Sequence, residues 1–192
     1  MLITAKPPAI SLQTHAFIVL ACALCYFYVF QLNLHFFAEI EFAHGVNWIF
    51  IPSGLRLLFV LVFTQSGAVG VALGSIAINY LLEPNESHIF NIVTGLISGV
   101  APYLSRWIGI RFLNLDPQLT GFTAGSFLKI SVLFSVICAS LHQVWFLFKG
   151  QSTDFVAGTI AMATGDWFGT VLVLATASLV LKIIKKIKPP SL

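Results

Sequence analysis

Charge is what this sequence has least of. Asp, Glu, Lys and Arg make up 9% of its 192 residues, where a soluble domain carries about 25%. With 58% hydrophobic residues, a soluble globular fold of this length is excluded, because it could not hide that much apolar surface from water. Other absences narrow the chemistry. There is no glycine-rich nucleotide loop, no HExxH and no acid pair beside a nucleophile. Nothing therefore points to an enzyme, a catalytic residue, a metal or a cofactor. The net charge of +3 sits mostly at the ends of apolar segments and gives no basic face for nucleic acid. The three cysteines supply no disulfide framework. Cys22 and Cys25 have a redox or metal spacing, but inside a Leu/Ala/Tyr run they read as small helix residues.

What is present is apolar length. The mean hydropathy is +0.94, and a membrane helix needs about 20 apolar residues. Six runs qualify, at roughly 16–34, 47–64, 67–82, 88–109, 123–147 and 156–181. The sequence thus predicts an all-α polytopic membrane protein, one bundle of six transmembrane helices over residues 1–192. The run from Ala16 is preceded only by Lys6 and continues to Leu34, so it reads as an uncleaved first helix. Helices two and three are expected to form a tight hairpin around Thr64-Gln65-Ser66-Gly67. Basic residues alternate with acidic ones from loop to loop. Lys6, Arg106, Arg111 and the tail Lys182–Lys188 fall on one side; Glu39, Glu41, Glu83 and Glu86 fall on the other. The positive-inside rule then puts both termini in the cytoplasm, with Lys149 as the exception.

Small residues indicate how the helices pack. Gly70-x-x-x-Gly74, Gly95-x-x-x-Gly99, Gly121-x-x-x-Gly125 and Gly165-x-x-x-Gly169 each place glycines on one helix face, where backbones can approach closely.

The polar residues inside the apolar runs are the functional candidates. A charge at a helix centre costs about 2.5–3.5 kcal/mol on insertion scales. Arg56 and Asp166 each fall about ten residues into their helices from the outer side, near mid-membrane at about 1.5 Å per residue. They are expected to pair or to line one polar cavity, and a purely structural pair fixing helix register is the equal alternative. Trp48, Asn79, Asn91, His142 and Gln143 share the outer half and could define a cavity above that pair. Each could equally serve as an interhelical hydrogen bond or an interfacial anchor. Pro52 removes a helical hydrogen bond, and Ser53 and Gly54 follow it, so helix two is expected to kink or open there. Freed N–H groups beside Arg56 would suit a small anionic ligand; a packing kink is the alternative. Lys129 sits at a helix edge where it can snorkel.

Two stretches together resemble a known family. Trp48-Ile49-Phe50-Ile51-Pro52-Ser53-Gly54-Leu55 followed by Gly67-Ala68-Val69-Gly70-Val71-Ala72-Leu73-Gly74 is similar to the Trp-Pro-x-x-Gly segment and glycine-rich hairpin of bacterial MASE-type integral membrane sensor domains. Gly165-Asp166-Trp167-Phe168-Gly169-Thr170-Val171-Leu172 resembles their closing segment. Those domains sit ahead of diguanylate cyclases and histidine kinases. The chain departs from the pattern at Ile51, has fewer spans, and ends in lysines and prolines with no output domain. The resemblance implies a stand-alone sensor-like module in a bacterial inner membrane, signalling to a cytoplasmic or membrane partner at Lys182–Lys188. The rival expectation is a small-solute transporter, or the substrate-binding membrane subunit of a carrier. The lipid bilayer is the partner common to both.

Overall fold

A backbone in hydrocarbon has no water to satisfy its N–H and C=O groups, so each apolar run closes its hydrogen bonds internally as a helix. The computed structural model describes residues 11–37, 41–43, 46–119, 123–151 and 154–187. Among them the chain forms α1 (Leu12–Phe37), an antiparallel ribbon of β1 (Glu41–Ala43) and β2 (Val46–Asn47), α2 (Ile51–Leu82), α3 (His88–Phe112), α4 (Ala124–Phe148) and α5 (Phe155–Ile187). Ser87 and Thr123 start α3 and α4 by accepting the N–H groups of Phe90 and Ser126, which satisfies first-turn donors. Four helices, α1, α2, α4 and α5, are long and apolar enough to cross a membrane. The protein is an all-α, membrane-embedded bundle with one small ribbon. Helix α3 is as long as α4, at 25 residues, but Asn91, Ser98, Ser105 and Arg106 dilute its apolar character.

The helix count is five among the described residues, where the sequence suggested six. The runs at 47–64 and 67–82 form the single element α2, which starts at Ile51 because residues 48–50 run outside the helix. Inside α2, Thr64 leaves the helical region, with φ 50° and ψ −115°, a strained conformation for a β-branched residue. A Cβ on Gly67 would strike the Phe59 carbonyl, although residues eight apart on a straight helix lie about 12 Å apart. The chain therefore reverses at Thr64, and the arms 51–63 and 65–82 lie side by side. Tyr26 of α1 touches both: its hydroxyl accepts from Arg56 Nε at 2.8 Å, and its ring lies 3.2 Å from where a Gly74 Cβ would stand. The reversal defines a tip end of the bundle. The β ribbon defines the opposite, ribbon end.

Pro52 also departs from expectation. It does not interrupt a helix but stands in the first turn of α2, where a missing N–H costs nothing. The donors around it are held: Ile51 N–H donates to Asn33 Oδ1 at 3.0 Å and Ser53 N–H to the Phe50 carbonyl at 3.1 Å.

The glycine faces are contact faces. Gly70 and Gly74 bring the second arm of α2 against Cys22 and Ala23 of α1. Gly95 and Gly99 bring α3 against Ala72 and Ala68. Gly165 and Gly169 let the main chain at Asn47 and Phe50 lie directly on α5. Of the fourth pair, Gly121 lies outside the described residues, and Gly125 meets only Thr123. Cys22 is buried, Cys25 is exposed, and both are free thiols.

The side chains divide by face and by end. Helix α1 exposes Phe17, Leu20, Leu24, Tyr28 and Leu32 and buries Cys22, Tyr26 and Asn33. Lipid-facing apolar residues outside and polar residues inside is the pattern a bilayer demands. Toward the tip end the interior is an apolar cluster of Leu57, Leu61, Ala101, Ile130, Phe134 and Leu174. Toward the ribbon end it is polar, with Ser75, Asn91, Ser98, His142, Gln143 and Asp166 all buried.

Candidate functional site

The ribbon-end interior encloses a cavity of about 120 Å³, room for a few waters or one small solute at about 30 Å³ per water. Its floor holds Arg56 and Asp166 together. Ser75, Thr94, Ser98 and His142 form polar walls, and Phe30, Phe50, Phe90 and Phe146 form apolar ones. Asn79, Glu83 and Gln151 lie toward the ribbon-end rim, where Gln151 Nε2 also donates to Glu86 Oε1 at 2.6 Å. That bond ties the α2–α3 loop to the α4–α5 loop.

Arg56 is 4% exposed, and the bundle holds it from several sides. Its Nε donates to the Tyr26 hydroxyl at 2.8 Å and its Nη1 to Cys138 Sγ at 3.4 Å. Its guanidinium carbon lies 5.4 Å from the Tyr26 ring centre and 5.0 Å from that of Phe50. Each such cation–π contact contributes about 0.5–2 kcal/mol, more where water is excluded. The arginine is thus anchored by α1, α4 and the residue preceding α2. Arginine suits this place better than lysine because its flat, weakly hydrated cation can be sandwiched between rings while still donating.

Asp166 is the opposite case. It is 1% exposed; its carboxylate faces the Cys138 thiol, and neither oxygen meets an N–H or hydroxyl donor among the described residues. Its charge and that of Arg56 are close enough to interact, but the two make no direct hydrogen bond. What positions Asp166 is main chain. Ser53 Oγ donates to the Asp166 carbonyl at 2.7 Å, and Phe50 N–H donates to the Gly165 carbonyl at 3.2 Å. The close approach permitted by Gly165 and Gly169 makes both bonds possible.

A polar network crosses the walls. Ser75 Oγ donates to Ser98 Oγ at 3.0 Å, and Ser98 Oγ lies 3.4 Å from His142 Nε2. His142 Nδ1 donates to the Cys138 carbonyl at 2.9 Å. With Cys138 accepting from Arg56, the chain of contacts joins both arms of α2 to α3, α4 and α1.

The other residues singled out from sequence are distributed unevenly. Asn79 and His142 line the cavity. Ser53 lies behind it on the Asp166 main chain, and Pro52 is buried in the first turn of α2. Asn91 is fully buried but clamps the α2–α3 connection, its Nδ2 donating to the Glu83 carbonyl at 3.3 Å. Gln143 points away from its neighbour His142, toward Gly158 and Met162 of α5, because adjacent helical residues point about 100° apart. Trp48 is 41% exposed and outside the cavity lining. Residues 182–187 belong to α5, but the side chains of Lys182, Lys185 and Lys186 and all of Lys188 lie outside the described residues.

Sequence reasoning missed Tyr26, Cys138, Ser75, Thr94 and Ser98. Two of them carried a signal. Ser75 follows Gly74 and Ser98 precedes Gly99, and small polar residues on a glycine face are where helices approach closely enough to hydrogen-bond. Tyr26 and Cys138 carried none, being ordinary residues in apolar runs.

Compared with protein-family models, with curated proteins and with solved structures, the chain matches none of them.

Proposed function

We propose that the protein is a membrane-embedded sensor-like module that binds a small polar ligand in the ribbon-end cavity and conveys occupancy to another protein. The observation that carries this reading is Asp166: a buried carboxylate that meets the Cys138 thiol but no N–H or hydroxyl donor among the described residues, facing a cavity shared with Arg56. Buried charge costs several kcal/mol, and a bundle that only needed cohesion would gain by replacing it. The likeness of residues 48–55, 67–74 and 165–172 to MASE-type sensor segments supports the same reading. So does the apolar cluster at the tip end, which closes the cavity on that side and favours a binding module over a conduit for solute.

In this proposal the two arms of α2 each cross the bilayer, giving six crossings. Helix α1 begins and α5 ends at the tip end, so that end faces the cytoplasm of a bacterial inner membrane and the cavity opens outward. Signal leaves through α5 to a partner at Lys182–Lys188. A ligand thermal-shift screen on the purified protein tests the reading. Compounds that raise the melting temperature of wild type but not of Asp166→Asn are expected. If no compound in a broad polar library distinguishes the two, the module reading fails. Solute uptake into vesicles by the protein alone would instead establish the transporter.

A further inference from the structure

The floor of the cavity limits what can bind above it. Arg56 and Asp166 carry opposite charges close enough to interact, so together they are neutral. Glu83, toward the rim, has an interaction of its own. A monoanion or a monocation set on a neutral floor brings a charge that the site does not cancel, and an uncompensated charge is heavily penalised away from water. The ligand is therefore neutral overall.

The same floor offers hydrogen bonds of both kinds. A guanidinium has five N–H donors, and Tyr26 and Cys138 take two of those on Arg56. A carboxylate has about four acceptor sites, and that of Asp166 meets the Cys138 thiol but no N–H or hydroxyl donor among the described residues. The two side chains make no direct hydrogen bond to each other, so a donor and an acceptor share one cavity. The wall hydroxyls discriminate less, because Ser75 donates to Ser98 and Ser98 to the Thr94 carbonyl. A zwitterion also fits a neutral floor, but each of its charges must leave water among the rings of Phe30, Phe50, Phe90 and Phe146. Arg56 is ill placed to repay that cost, being already held by two rings and two acceptors. An amide asks each side chain only for a hydrogen bond and can rest its alkyl carbon on the rings. Size sets the last limit. A cavity of about 150 Å³ holds benzene, so the one of about 120 Å³ here takes up to about five heavy atoms.

We propose that the cavity takes a small uncharged amide, whose N–H donates to the Asp166 carboxylate and whose carbonyl accepts from the Arg56 guanidinium. This rests on the reading of the cavity as a ligand site, and it sets aside the small anion that the Arg56 charge alone suggested.

The test uses the full chain in lipid nanodiscs at fixed ionic strength, with thermal unfolding as the readout. Acetamide, sodium acetate and acetamidinium chloride share a shape and differ in charge. Acetone keeps the carbonyl and lacks the donor, and glycine is the zwitterion. Acetamide at about ten times its Kd is expected to raise the melting temperature by about 4 °C, and the other probes at the same concentration by less than about 1 °C. Asp166→Asn puts an N–H where the carboxylate accepted and should abolish the acetamide shift. Should that variant not fold, acetone against acetamide puts the same question to the wild type. Acetate or acetamidinium acting more strongly than acetamide would overturn the uncharged assignment. Glycine acting more strongly would make the site one for zwitterions and overturn it likewise. Acetone matching acetamide would show that Asp166 accepts nothing from the ligand, which also overturns the assignment. Each of these three outcomes leaves the module reading standing. An acetamide shift that survives in Asp166→Asn would place binding elsewhere. No shift with any probe sinks the amide assignment; the broader polar screen then decides the module reading separately.

Discussion

Toward its N-terminus, α4 meets its neighbours through Ile130 and Phe134, packed among Leu57, Leu61 and Leu174. Two turns further on, the same helix turns His142 inward to Ser98 and a cavity floored by two charges. The first arm of α2 shows the same change along its length, with Leu57 and Leu61 in the apolar cluster and Arg56 in the polar half. Membrane helices gain nothing from hiding apolar groups from lipid, so cohesion comes from close packing, and the tip end supplies it. The ribbon end departs from dense apolar packing and contains a void, a buried cation and a buried carboxylate. Such a combination is costly and persists only where the rest of the structure supports it.

The comparison can be broken by mutation, beginning with the largest effect. Phe134→Ala opens a void in a fully buried site and should cost about 4 kcal/mol, read as loss of stability in denaturant titration. If instead it costs less than Asp166→Asn, the tip end is not the structural half.

Arg56→Ala removes two ring contacts and two donors while leaving Asp166 uncompensated, and should cost about 3 kcal/mol. The double variant with Asp166→Ala should recover at least about 1 kcal/mol of that loss, because the second change removes the orphaned charge. Strict additivity in the cycle would show that the two charges do not communicate.

Gly169→Ala drives a methyl into the Phe50 carbonyl, and overpacking of this kind costs about 2 kcal/mol. It should also displace Asp166 by disturbing the main chain on which Ser53 rests, so ligand-induced stabilisation should fall together with stability. Retained ligand response at reduced stability would show that the glycine face serves packing alone.

Ser75→Ala is expected to be the mildest. Ser98 keeps its bond to the Thr94 carbonyl, so stability should change by less than about 1 kcal/mol. A larger loss would mean that the polar wall is itself structural, and the contrast between the two ends would narrow.

Much of this arrangement is legible in particular residues. Arg56 and Asp166 stand out because charge in an apolar run is expensive, and Gly70, Gly95 and Gly165 each begin a spacing that only a close contact explains. Pro52 was misleading: the same residue that breaks a helix interior is welcome in a first turn, and only the position of the helix start distinguishes the two. Periodicity cannot find that start when every neighbour is apolar. Thr64 was more legible, since it begins the stretch Thr64-Gln65-Ser66-Gly67 where a hairpin was expected. The chain reverses there, although the two arms join as the single element α2.

By itself the sequence determined the medium and the inventory. Hydropathy fixes a membrane-embedded helical chain, because a backbone in lipid has no other way to satisfy itself, and the rarity of charge singles out Arg56 and Asp166. Only the tertiary structure decided how those charges are used. Whether Arg56 is spent on Tyr26, Cys138 and Phe50 or left for a ligand depends on which helices meet at its depth. Those contacts come from residues distant in the chain, and spacing along one helix carries no record of them. The same packing that anchors the arginine leaves the aspartate with the Cys138 thiol and no N–H or hydroxyl donor among the described residues.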